Sequence, residues 1–237
     1  MQDRILTKVQ ANEAFTWENF RKTFTDVKVY LYAFGFHTMS LPLYTLSLFL
    51  PTIIKGLGYT AAQAQLLTIP PYALAFIVTM SVAVLAERYN RRAPFILGTS
   101  SLAIVGYILL LSDPRPGVSY LGTIFAAMGI YPSVALVLSW PAINVSGQTK
   151  RAIANALQIS IGNCGAVIGT QLYRTETAPR YFLGHSFALG YLVANLIVVS
   201  TLWWVLQSEN TKRDNAGIDL TEGEWHGDDD TRWRFHL

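Results

Sequence analysis

Residues Phe182–Gln207 read FLGHSFALGYLVANLIVVSTLWWVLQ, a run with one histidine and no Lys, Arg, Asp or Glu. A helix rises about 1.5 Å per residue and a bilayer core is about 30 Å thick, so about 20 apolar residues cross it. This run is long enough to do so. A second run, Pro94–Ser112 (PFILGTSSLAIVGYILLLS), carries no charge at all. Outward from these two, the hydropathy pattern predicts six spans: Val29–Ile54, Leu66–Ala86, Pro94–Leu111, Val118–Trp140, Ile153–Tyr173 and Phe182–Leu206. The charged breaks KGLGYT, ERYNRR, SDPRPG, NVSGQTKR and RTETAPR separate them. Pro42, Pro70, Pro71 and Pro132 fall inside these spans, where a helix bundle re-satisfies the carbonyls that proline frees. The expected fold class is an all-α membrane protein with six transmembrane helices over residues 27–207.

Composition agrees. Of the 237 residues, 14% are charged and 51% hydrophobic, against about 25% charged in a soluble domain. The net charge of +3 is too small and too scattered for a nucleic-acid partner. The single cysteine, Cys164, has no second thiol in the chain to pair with and reads as a packing residue. No metal-ligand cluster, phosphate loop or nucleophile triad occurs, so neither cofactor, metal nor enzymatic activity is expected. Residues 1–26 are polar and lack the apolar core of a signal peptide. Trp17, Phe20, Phe24 and Val27 nonetheless share one helical face. That face fits an anionic membrane surface and the protein itself equally well. Residues 208–237 are polar, include the acidic run Asp228–Asp230, and are expected to be a disordered tail.

Charge also sets orientation. Of the 18 Lys and Arg residues, only Lys55, Arg115, Arg174 and Arg180 fall in the odd-numbered loops. All the others lie in the N-terminal segment, the even-numbered loops or the tail. The positive-inside rule then places both termini in the cytoplasm. Asn144-Val145-Ser146 matches a glycosylation pattern, but this topology puts it on the wrong side for modification.

The loop between the second and third spans reads Ala83–Arg92, AVLAERYNRR. It resembles the loop signature of the major facilitator superfamily, with Glu87 in place of the usual Asp and with Ala83 and Asn90 in place of glycines. Longer strings resemble the C-terminal half of fungal allantoate-permease-type transporters, the anion:cation symporter branch of that superfamily. They are PLYTLSLFLPTIIKGLGYTAAQAQLLTIPPY, GIYPSVALVLSWPAINVSGQTKRAIANALQISIGN, APRYFLGHSFALGY and SENTKRD. The resemblance implies one six-helix half of a twelve-helix fold, with residues 1–26 as the end of a central loop and an N-terminal half as partner. It implies transport of a small organic anion, such as allantoate, nicotinate or pantothenate, coupled to protons and set in the plasma membrane. The competing expectation is a truncated six-helix protein that does not transport and serves at most as an assembly partner.

Candidate site residues follow. Glu87, Arg88, Arg91 and Arg92 have the carboxylate and guanidiniums of a conformational gate, though topology alone also accounts for the charge. No span has an acidic residue in its middle. Proton coupling would then need a carboxylate in the other half, or a histidine. His37 is the candidate, since an imidazole titrates near neutrality, whereas His185 lies near a predicted membrane boundary. Asn155, Gln158, Gly162, Gly165 and Gly169 form one stripe of the fifth span. The glycines suit close helix packing, while the two amides fit either a watery cavity or helix pairing. Tyr44 and Tyr131 lie beside Pro42 and Pro132 in the spans that the resemblance implies line the cavity. A phenol there offers a hydrogen bond and an aromatic face to substrate.

Overall fold

The computed structural model describes residues 17–112, 115–173, 180–216, 228 and 230–237. Its helices are α1 (Trp17–Thr25), α2 (Val27–Gly56), α3 (Ala61–Leu66), α4 (Ile69–Tyr89), α5 (Ala93–Ser112), α6 (Pro116–Asn144), α7 (Gln148–Thr170) and α8 (Phe182–Ala216). No strand occurs among the described residues. Among the described residues, six units are long and apolar enough to cross a membrane: α2, α3 with α4, α5, α6, α7 and α8.

Local chemistry sets the helix ends. Asp26 caps α2 by accepting from the Lys28 amide at 3.0 Å. Thr60 and Gln63 form a reciprocal capping box that starts α3, a short helix absent from the hydropathy reading. Pro70 and Pro71 lie inside the second membrane-spanning unit, as expected. Within that unit they occupy the first turn of α4, where a missing N–H has no intrahelical partner to lose. Pro42 and Pro51 in α2, and Pro132 and Pro141 in α6, are true interior prolines. Asn90 ends α4 at φ 53°, a left-handed conformation that asparagine tolerates better than most residues. That explains how it stands where the superfamily signature has glycine.

The core is built on α2 and α6, whose apolar windows are each 61% buried, against 17% for the α3–α4 unit. α2 packs most extensively on α7, and α5 on α6. Both contacts need glycine. At Gly169 an added Cβ would lie 2.8 Å from Thr45 Cγ2, and at Gly162 it would overlap the Phe36 ring. Gly106 and Gly129 do the same for α5 and α6, where a Cβ would strike the backbones of Ala126 and Ala103. Dispersion between close backbones is what joins helices in lipid, where the hydrophobic effect gives little. One buried polar network adds to it. Asn195 of α8 donates to Gly35 O at 3.0 Å and to Thr38 Oγ1 at 2.9 Å, and accepts from Ser100 Oγ at 3.1 Å.

The chain alternates between two ends. α2, α5 and α7 begin, and α4, α6 and α8 finish, at the end that carries Lys28, Arg92, Lys150 and Arg213. A disordered tail was expected from Ser208; residues 217–227 and 229 of it lie outside the described residues, and the described ones are ordered. α8 continues to Ala216, and residues 230–237 lie folded against this basic end. Hydropathy marks where lipid stops, not where a helix stops, and Asn210 and Arg213 on the extra turns hold the returning chain. α1 packs on α7, with Trp17 and Phe24 still exposed.

Candidate functional site

The polar side chains at mid-depth gather around α2. Tyr44, 37% exposed, donates its hydroxyl to Asn163 Oδ1 of α7 at 3.2 Å. One turn on, Ser47 Oγ meets the Tyr131 hydroxyl of α6 at 2.8 Å. The Tyr131 ring lies edge-on to Tyr72 of α4, with centroids 5.7 Å apart, and the Tyr72 hydroxyl reaches Ser47 O at 3.5 Å. Two turns before Tyr44, on the same face of α2, His37 Nδ1 donates to Ile161 O at 2.9 Å. A carbonyl only accepts, so Nδ1 carries a proton in this contact. The Tyr191 ring flanks His37 at 5.7 Å.

Of the residues singled out from sequence, Tyr44, Tyr131 and His37 therefore border one polar strip on α2. Gln158 does not face it. Its side chain is buried, and its amide donates to Val137 O at 2.9 Å and to Tyr32 O at 3.4 Å. That ties α7 to α6 and α2. Asn155 is half-buried, and its Oδ1 has no hydrogen-bond partner among the described residues. Asn163, Ser47 and Tyr72 complete the strip and were not singled out. A small polar residue within a hydropathic run gives no periodic signal, and only the α2–α7 pairing shows which face Asn163 shares. His185 is buried, with Nδ1 3.0 Å from the Tyr173 hydroxyl and the ring beside Tyr107.

At the basic end, only one of the three arginines joins Glu87. Arg92 Nη2 lies 3.3 Å from Glu87 Oε2, while Arg92 Nη1 donates to Ser139 Oγ. Burial works against the Arg92 charge and Glu87 supports it. The Glu87 side chain is 80% exposed, so the pair is worth at most about 1 kcal/mol. Arg88 and Arg91 are exposed, and their side chains make no ion pair among the described residues. Asn144 is buried, donating to the Tyr32 hydroxyl at 2.9 Å and accepting from the His236 amide at 2.7 Å. Its glycosylation pattern is therefore inaccessible in this fold on either side of a membrane.

The fold defines a class: a multi-pass, all-α membrane protein with six apolar helices, the architecture of one half of a major facilitator transporter. Known proteins agree. An uncharacterized transporter of Schizosaccharomyces pombe is 35% identical over 89% of this chain and 42% of its own length. The "MFS-type transporter cnsO" of Penicillium expansum is 37% identical over 78% of this chain and 36% of its own length. The high-affinity nicotinic acid transporter of Saccharomyces cerevisiae is 31% identical over 85% of this chain and 38% of its own length. The chain thus spans less than half the length of each of these relatives. No family model matches it.

Proposed function

We propose that this chain is the C-terminal half of a fungal major facilitator transporter that moves a small organic anion, nicotinate-like in size and charge, by alternating access. The observation that carries this reading is the strip of Tyr44, Asn163, Ser47, Tyr131 and Tyr72 at mid-depth. Substrates of such folds bind near the midplane, between two halves. Tyr44 and Asn163 stay exposed on the described bundle, so this wall is open to a second one. Phenol and amide groups hydrogen-bond a carboxylate without fixing a charge in the membrane. His37 is the proton-accepting candidate on this wall. Glu87 and Arg92 form the gate pair at the basic end, which faces the cytoplasm, and the membrane is the plasma membrane. The nicotinic acid transporter among the relatives supports an organic anion as cargo. The allantoate-permease branch rests on the sequence resemblance.

The test is a chimera that joins the N-terminal half of the budding-yeast nicotinic acid transporter to this chain. Uptake of labelled nicotinate, allantoate and pantothenate is then measured in cells lacking their own carriers. Saturable uptake of one carboxylate, with its amide analogue failing to compete, is the expected result. A chimera that reaches the surface normally and takes up none of them would discard organic-anion transport.

A further inference from the structure

Residues 230–237 make an unusual number of side-chain contacts for eight residues of irregular chain. The Trp140 indole donates to His236 O at 2.9 Å, and the Asn144 amide donates to the same oxygen at 2.9 Å. Asn210 of α8 and the Phe235 backbone exchange two hydrogen bonds, at 2.9 and 2.8 Å. Arg213 donates to Asp230 O and Trp233 O, both at 3.1 Å, and to Asp228 O at 2.8 Å. Phe235 is buried between two cations, with Lys28 Nζ of α2 and the Arg213 guanidinium each 4.7 Å from its ring centre. His236 Nδ1 meets Asn90 Oδ1 at the end of α4, and the Arg92 amide donates to Leu237 O. Nearby, Lys150 of α7 bridges Asp228 at 2.6 Å and Asp26 at 3.4 Å.

These partners come from the basic ends of α2, α4, α6 and α8, with the loop before α5. We propose that residues 230–237 are a releasable latch that holds these ends together and must let go before the basic end can open. Several features fit a latch rather than a permanent part of the core. Phe235 is buried in the hydrophobic cluster and Trp233 and Leu237 pack on it, but most of the named contacts are hydrogen bonds, which water can replace. They fall on backbone carbonyls of an irregular segment and not on a packed helix. The segment also bears on Arg92, which pairs with Glu87, so it touches the gate directly. Trp140 and Asn144 lie at the end of α6, the span that carries Tyr131 of the polar strip. A bound latch therefore holds one wall of that strip in one position.

The proposal rests on the transport reading for its consequence, but not for its detection. Detection uses the chain itself, purified with Cys164→Ala, Trp233→Phe and Leu237→Cys and labelled with bimane, which a nearby indole quenches; Trp233→Phe removes the indole carried by the segment itself. Quenching is expected in that background and is expected to fall at least threefold with Trp140→Phe. Asn210→Ala, at the far edge of the contact, is expected to relieve it as well in a monodisperse protein. For the consequence, residues 230–237 are deleted from the full-length chimera described above. Uptake per surface molecule is expected to rise severalfold, because the basic end opens without first releasing the latch. An unquenched label in the starting protein would overturn docking. Unchanged uptake, or uptake that falls together with surface abundance, would make the segment a structural brace and overturn the latch. A chimera that transports nothing even before deletion defeats the transport reading alone, since the quenching result still reports docking.

Discussion

At the residue scale, Tyr44 carries the sharpest expectation. Its ring was legible in the sequence as a mid-span aromatic two positions after Pro42. Its partner was not, because Asn163 lies on another helix and helix pairing leaves no mark on a single run of hydropathy. With the partner known, the test becomes a pair. Tyr44→Phe removes one hydroxyl, and Asn163→Ala removes the oxygen that accepts from it at 3.2 Å. If the two bind substrate as a unit, each single change weakens uptake affinity by up to about tenfold, or about 1.4 kcal/mol. The double change then costs little more than either alone, since coupled residues are not additive. Uptake affinities from the four versions of the chimera check this. Additive losses would separate the two residues, and normal affinity in Tyr44→Phe with low abundance in Tyr44→Ala would make Tyr44 a packing residue. Gln158 marks the opposite outcome of the same kind of reading. As an amide in an apolar helix it suited a cavity, but its side chain is consumed by Val137 O and Tyr32 O.

At the element scale, the α2–α7 contact was half legible. Spacings of three and four placed Gly162, Gly165 and Gly169 on one stripe, and that stripe meets Phe36, Ser40 and Thr45. The α5–α6 contact was missed, because Gly106 and Gly129 stand in separate runs and match only when the two helices face each other. Gly162→Val is expected to destabilise by about 1–3 kcal/mol, since its methyls meet the Phe36 ring in a close-packed contact. The measurement is the thermal midpoint of the purified chain, with Gly98→Ala as control, since nothing lies within 4 Å of a Cβ built there. The latch adds a dependence on pH. Burial holds the His236 imidazole below its ordinary value of 6.5, with the Arg92 charge acting the same way and Glu87 against it. A depressed value means that the docked state favours the neutral ring. Docking is then full above about pH 6.5 and is lost as pH falls below it, while protonation completes in the released state first. Bimane quenching is expected to fall as pH drops below about 6.5, and His236→Gln is expected to flatten the curve.

At the scale of the whole molecule, the six spans were legible because a bilayer demands about 20 apolar residues at a stretch and tolerates no charged ones. The order of the helices in the bundle was not, because every face of a membrane helix is apolar and period alone does not say which face meets protein. The extension of α8 and the fold of residues 230–237 were hidden for a related reason: polar sequence outside lipid reads as tail whether or not it packs. The same asymmetry of charge that gave the spans their direction makes a last prediction. Lys28, Arg92, Lys150 and Arg213 gather at one end of the bundle, and Arg115 and Arg180 lie at the other. Positive residues are retained on the cytoplasmic side during insertion, so the end bearing the latch is predicted to face inward. Asn144 offers no report, since it is buried by its bonds to Tyr32 and His236. Cysteine labelling does. In a Cys164→Ala background, Arg88→Cys and Arg180→Cys each place a thiol at an exposed position, one at either end. A membrane-impermeant maleimide applied to intact cells is expected to label Arg180→Cys at once and Arg88→Cys only after permeabilisation. Prompt labelling of Arg88→Cys from outside, with Arg180→Cys protected, would invert the topology and move the latch and the gate pair to the outer face.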